Sequence, residues 1–186
     1  ALISLVNHYL FRTYALDLGL YTNAFYKYAH FKLADSAMIK PSFEYLFGGH
    51  FDLYLVIFSP LVYLFGTYTL LIVQILAILA GGIGIYKYFS TPEIKNKYLA
   101  IFATTYFFAF YGIYSALSYD YHSTLVAAMI VPWFLFYIKK NNYLASSVIL
   151  LFILISQENI SLWAGFICLA LMFEYRKNKK ALQYLA

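Results

Sequence analysis

Long apolar runs separated by short polar turns dominate the second two thirds of the chain. Residues 67 to 86 (TYTLLIVQILAILAGGIGIY) form the first run. At about 20 residues it is long enough to cross a ~30 Å hydrocarbon core, so it predicts a spanning helix. Residues 98–117 and 123–138 are two more spans, divided by the turn Ser118 to His122. Between Lys140 and Arg176 the apolar pattern is broken once, at Gln157, Glu158 and Asn159. One helix over 143–174 would be about 48 Å long and would put its two flanking basic loops on opposite faces. Two helices, 143–156 and 160–174, are the better solution. Each arm is only ~22 Å long. The apex carrying Glu158 is therefore expected slightly below the surface, in a polar cavity, because non-helical backbone at membrane depth needs protein or water around it.

The first 66 residues have a different texture. Leu18, Tyr21, Phe25 and Tyr28 recur at helical spacing, while Asn23, Lys27 and His30 face elsewhere. That is the pattern of a helix lying in the membrane interface. Residues 51–65 contain Pro60 and are short for a span, which predicts a second interfacial or re-entrant helix. Gly81, Gly82 and Gly84 permit another helix to approach closely, and Pro132 predicts a kink in its helix. The expected fold is all-α: a polytopic membrane bundle over 67–186, preceded by an outer-face segment over 1–66 with interfacial helices. Residues 1–6 read as the outer end of a helix begun upstream, so a fragment of a longer multi-pass protein is expected.

Composition supports the membrane reading. Mean hydropathy is +0.71 and 63% of residues are hydrophobic, with only 11% charged, against about 25% charged in a soluble domain. Lys87, Lys95, Lys97, Lys139, Lys140, Arg176, Lys177, Lys179 and Lys180 make up nine of the thirteen basic residues. They fall in three short loops, and such an excess marks the cytoplasmic side. The net charge of +5 thus reflects orientation in the cytoplasmic membrane. It does not indicate nucleic acid, which would need a basic stripe interleaved with exposed aromatics. Cys168 is the one cysteine, which excludes an intrachain disulfide and a thiolate metal site.

The opposite, extracytoplasmic face collects the titratable residues: Asp17, Asp35, Glu44, His50, Asp52, Asp120, His122 and Glu158. Asp17 stands just before the interfacial helix, as a cap or as a base held at the surface. Gly48, Gly49, His50, Phe51 and Asp52 join a turn to the head of the next helix, where an anion could bind or Asp52 could simply cap. Asp120 and His122 share a turn that could be solvated or could face a cavity. Glu158 is expensive at membrane depth, by about 2.5 to 3.5 kcal/mol on insertion scales, so a partner or a function is expected for it. Imidazole with carboxylate suits zinc or manganese, and His50, Asp120, His122 and Glu158 could complete a site for a divalent metal. Their spacing matches no established metal motif.

The runs RTYALDLGLYTNAFYKYAHF, GGHFDLYLVIFSPLVYLFG, YDYHSTLVAAMIVPWF and SQENISLWAGF resemble a family of multi-pass membrane proteins, the domain of unknown function DUF2079. More remotely the layout is similar to the GT-C superfamily of membrane glycosyltransferases. That resemblance implies a catalytic acid in the first outer loop, and Asp17 stands in the corresponding place without a paired-acid motif. It further implies sugar transfer from a polyprenyl-phosphate donor at the outer face. Asp17 and Glu158 would then be catalytic, and Arg12, Lys27, His50, Asp120 and His122 would bind substrate beside membrane lipid. The rival expectations are an ion- or proton-coupled transporter and a non-catalytic assembly subunit.

Overall fold

The computed structural model describes residues 2–13, 17–34, 51–94 and 96–185. The elements are α1 (Leu2–Tyr9), α2 (Asp17–Ala29), α3 (Tyr54–Phe58), α4 (Val62–Phe65), α5 (Thr69–Phe89), α6 (Lys97–Ala109), α7 (Tyr111–Ser118), α8 (Ser123–Lys139), α9 (Tyr143–Leu154), α10 (Glu158–Glu174) and α11 (Lys179–Leu185). Among the described residues there is no strand, so the fold is all-α. Two helical stretches are long and apolar enough to cross a membrane: Tyr54–Phe89, with mean hydropathy 2.2, and Lys97–Ser118, with 1.4. Only 11% of the most apolar window in Lys97–Ser118 is buried inside the protein. Tyr98, Ile101, Phe102, Tyr106 and Tyr111 are left exposed on it, a surface suited to lipid.

Helix α5 is central and packs against α6 on one side and α8 on the other, while α8 also packs against α9. The glycines of α5 explain the close approach to α8. A Cβ at Gly81 would lie 2.9 Å from the Met129 carbonyl oxygen, and one at Gly84 would meet Trp133 at the same distance. A Cβ at Gly82 would strike the Phe108 ring of α6. The Trp133 indole N–H then donates to the Ala80 carbonyl at 2.8 Å, which pins the two helices at that level.

The basic-loop end is built from asparagines. Asn141 takes a left-handed conformation, φ 53°, which short polar side chains tolerate. Asn142 then accepts a hydrogen bond from the Ala145 N–H at 3.1 Å and starts α9. Asn96 caps α6 in the same way through the Leu99 N–H. Two features were not expected. The stretch over 98–117 is interrupted at Phe110, whose backbone is extended, with ψ 123°. The Phe110 ring occupies the space that a side chain at Gly112 would need. Residues 54–68 form two short α-helices, with single 3-10 turns at Ser59–Leu61 and Gly66–Tyr68. Pro60 sits in the first 3-10 turn, where its missing N–H costs no bond. Pro132 is accommodated inside a helix that runs on from Ser123 to Lys139.

Candidate functional site

Away from the basic loops, four segments meet. The face of α2 read from the sequence is buried there: Leu18, Phe25 and Tyr28 join Tyr54, Leu55, Tyr121 and Val126 in the main apolar cluster, with Phe152, Ile155 and Ile160 packed against it. Burial on this scale fixes the polar residues interspersed among them, since each large apolar side chain removed from water contributes about 1.5 to 3 kcal/mol.

The best-defined contact is a strap. Residues Phe51 to Tyr54 run along the apex of the α9–α10 hairpin, some hundred positions later in the chain. The Phe51 N–H donates to Glu158 Oε2 at 3.3 Å, and the Leu53 N–H donates to the Ile155 carbonyl at 3.1 Å. The Tyr54 hydroxyl donates to the Phe152 carbonyl at 2.7 Å. Between these lies Asp52, only 2% exposed. Its Oδ1 accepts from the Tyr54 N–H at 3.0 Å, and among the described residues its Oδ2 closes no hydrogen bond of normal geometry. Burial pushes the Asp52 carboxyl up to about 6, against the pull of the Ser123 hydroxyl, the Tyr54 and Leu55 N–H groups and the Gln157 amide. The Gln157 amide itself donates to Ser123 Oγ at 3.0 Å. One acid thus gathers the start of α3, the start of α8 and the residue before α10.

Phenols surround it. Burial and the Asp52 carboxylate raise Tyr28 to about 12, and they push Tyr121 well above its ordinary value. Tyr121 meets Tyr21 of α2 edge to face, with centroids 6.1 Å apart. Helices α8 and α10 both begin here, and Glu158 opens α10, where the positive end of the helix dipole favours a carboxylate.

The turn between α7 and α8 is held by Gln74, which is 1% exposed. Its amide donates to the carbonyls of Ala116 and Asp120, each at 3.3 Å, and its carbonyl oxygen accepts from the His122 N–H at 2.8 Å. Gln74 therefore serves the same end of the protein as the acids. Asp120 is buried and His122 is exposed. Near them the end of α1 closes in: His8 has its ring nitrogens 3.2 Å from Thr13 Oγ1 and 3.0 Å from Thr67 Oγ1. Burial lowers the His8 pKa, with the Asp120 carboxylate opposing.

The sequence-predicted residues are placed unevenly. Glu158 lies at the strap, and Asp120 and His122 lie on the neighbouring turn. Asp17 is the first residue of α2, and its side chain lies outside the described structure, as does the whole of His50. Lys27 is half-buried in α2, and its carbonyl accepts from the His30 and Lys32 N–H groups. Arg12 is exposed just after α1, its N–H donating to the Asn7 carbonyl. Among the described residues no three or more His, Cys, Asp or Glu stand together as a metal site. Asp120, His122 and Glu158 do not form one by themselves. Sequence reasoning undervalued Asp52, Gln74 and Gln157. The available signals were a carboxylate beside a glycine turn, a single amide inside an apolar run and an amide next to Glu158.

A family model described as "Predicted membrane protein (DUF2079)" matches residues 7–186. No curated protein and no solved structure matches.

Proposed function

The chain belongs to the DUF2079 family of predicted membrane proteins, and on that premise we propose that it is a membrane glycosyltransferase using a polyprenyl-phosphate sugar donor at the extracytoplasmic face of the cytoplasmic membrane. One observation carries the reading: α2, the 51–54 strap, the 119–123 turn and the 155–158 apex converge at the end opposite the basic loops. A lipid carrier keeps its tail in hydrocarbon and its sugar phosphate at the headgroups, so its site must be built from helix ends at one surface. The starts of α8 and α10 favour an anion there. In this scheme Asp17 and Glu158 act on the acceptor hydroxyl as bases. Arg12 and Lys27 neutralise phosphate, and His50, Asp120 and His122 bind sugar or phosphate oxygens. Asp52, buried behind them, supports the strap.

Asp17→Asn and Glu158→Gln, each in the full-length protein, test this with a polyprenyl-phosphate sugar and a mixed acceptor pool. Loss of transfer in at least one supports the proposal, whereas transfer at the wild-type rate in both removes it. A second reading has its own support: a buried carboxyl with a raised pKa, as at Asp52, suits a proton-coupled transporter. Proton flux in proteoliposomes that vanishes in Asp52→Asn, without any sugar transfer by the wild type, would favour that reading.

A further inference from the structure

The turn bearing Asp120 and His122 is fixed by hydrogen bonds, and the His122 ring contacts one of the carbonyls they use. His122 Nδ1 lies 3.3 Å from the Asp120 carbonyl oxygen. A carbonyl oxygen can only accept. The contact is therefore a hydrogen bond only when the proton is on Nδ1, and a neutral ring with its proton there keeps a lone pair on Nε2. The same carbonyl receives the Gln74 amide, and the Gln74 carbonyl oxygen holds the His122 N–H. A single buried side chain thus sets both the backbone of His122 and the acceptor its ring uses. The exposed imidazole is held further by the Tyr119 ring, with centroids 5.3 Å apart.

We infer that Gln74 is a positioning residue that locks His122 in the Nδ1–H tautomer and so presents Nε2 as a hydrogen-bond acceptor to a ligand hydroxyl. The lock follows from geometry alone. That the hydroxyl belongs to a sugar or its acceptor rests on the proposed function.

The logic of polar groups in an apolar span supports the assignment. Gln74 sits among Leu, Ile and Val, and an amide buried there without partners would cost about 1 to 3 kcal/mol. It recovers that by three hydrogen bonds, one to the Ala116 carbonyl near the end of α7 and two to the connection between α7 and α8. A leucine of similar size would pack at least as well among the same neighbours, yet it would take the Gln74 bonds away from the Ala116 and Asp120 carbonyls and from the His122 N–H. Pure packing does not need glutamine, whereas holding the turn does.

The test uses the full chain in lipid nanodiscs, with nitrogen-15 histidine NMR on the wild type and on Gln74→Leu, and His122→Gln to assign the signal. The wild type should show His122 as the Nδ1–H form, and Gln74→Leu should show a mixture of both tautomers with the helical circular dichroism unchanged. A wild-type ring protonated on Nε2 would overturn the inference, as would a Gln74→Leu spectrum that remains purely Nδ1–H. If Gln74→Leu does not fold, the wild-type spectrum still decides the tautomer. Gln74→Glu, which keeps an acceptor for the His122 N–H and loses the amide donor, then decides the positioning role by the same readout. Where sugar transfer is measurable, Gln74→Leu should lower kcat/KM about tenfold, the effect of one hydrogen bond of about 1.4 kcal/mol. Absence of transfer by the wild type would remove the glycosyltransferase reading and leave the tautomer result standing.

Discussion

Replacing Asp52 by asparagine should stabilise the protein at neutral pH, although it alters a buried polar residue. The carboxyl rises from 3.8 to about 6 in the fold, and each pH unit of displacement is worth 1.36 kcal/mol. The ionised form is therefore about 3 kcal/mol worse placed in the native state than in the unfolded chain. Below pH 4 the group is neutral in both states and costs nothing. Between about pH 4 and pH 6 the native protein holds a proton that the unfolded chain has released, so stability falls as pH rises. Above pH 6 the full cost is present. Asparagine carries no charge, keeps an oxygen for the Tyr54 N–H and places an amide where Oδ2 closes no bond. At pH 7.5 it should raise Tm by roughly 6 to 12 °C, given 2 to 4 °C per kcal/mol for a chain of this size. At pH 4 it should leave Tm within about 2 °C of the wild type. Thermal unfolding followed by tryptophan fluorescence at both pH values is the assay, with Trp133 and Trp163 as probes. A lower Tm at pH 7.5, or equal wild-type and Asp52→Asn slopes between pH 4 and 7, would refute the reasoning.

Four further outcomes follow from packing and hydrogen bonds. Gly81→Ala places a Cβ against the Met129 backbone and should cost about 1 to 3 kcal/mol through overpacking. Gly165→Ala, where nothing lies within 4 Å, should change thermal stability by less than about 1 kcal/mol. Tyr54→Phe removes the bond to the Phe152 carbonyl and should cost about 1 kcal/mol. Hydrogen–deuterium exchange should then quicken at Leu53, the next link of the strap. Trp133→Phe should loosen α5 from α8 by a similar amount, read as a lower Tm.

The elements of the fold were legible because lipid-compatible helices announce themselves by length and hydropathy, and the loops between them by charge. The face of α2 was legible too, since Leu18, Phe25 and Tyr28 obey a helical period and are buried together. The break at Phe110 was not, because it arises from a ring folding over Gly112 and leaves no polar mark in the sequence. The strap escaped notice for another reason. Its bonds run mostly through backbone groups of Phe51, Leu53, Phe152 and Ile155, whose side chains say nothing of the pairing. Of the acids assigned to one face, Asp52, Asp120 and Glu158 lie on the strap, the 119–123 turn and the apex. The balance within that set was misjudged: Glu158 is exposed and Asp52 is the buried one, because the depth of each depends on what packs over it.

The strap has a consequence for how the protein comes into being. Its two halves are made about a hundred residues apart, so the early half must wait through the synthesis of α5 to α9 before its counterpart exists. Such distant pairings form late, because the entropy of closing a long loop is lost before the contact offsets it. Until the final hairpin arrives, Asp52 has neither Gln157 nor the cover of the apex, and it remains an ordinary wet carboxylate. A nascent chain interrupted before residue 150 would hold every early acid and still lack the apex that covers Asp52, so completion of the last hairpin is the moment at which this end of the protein closes.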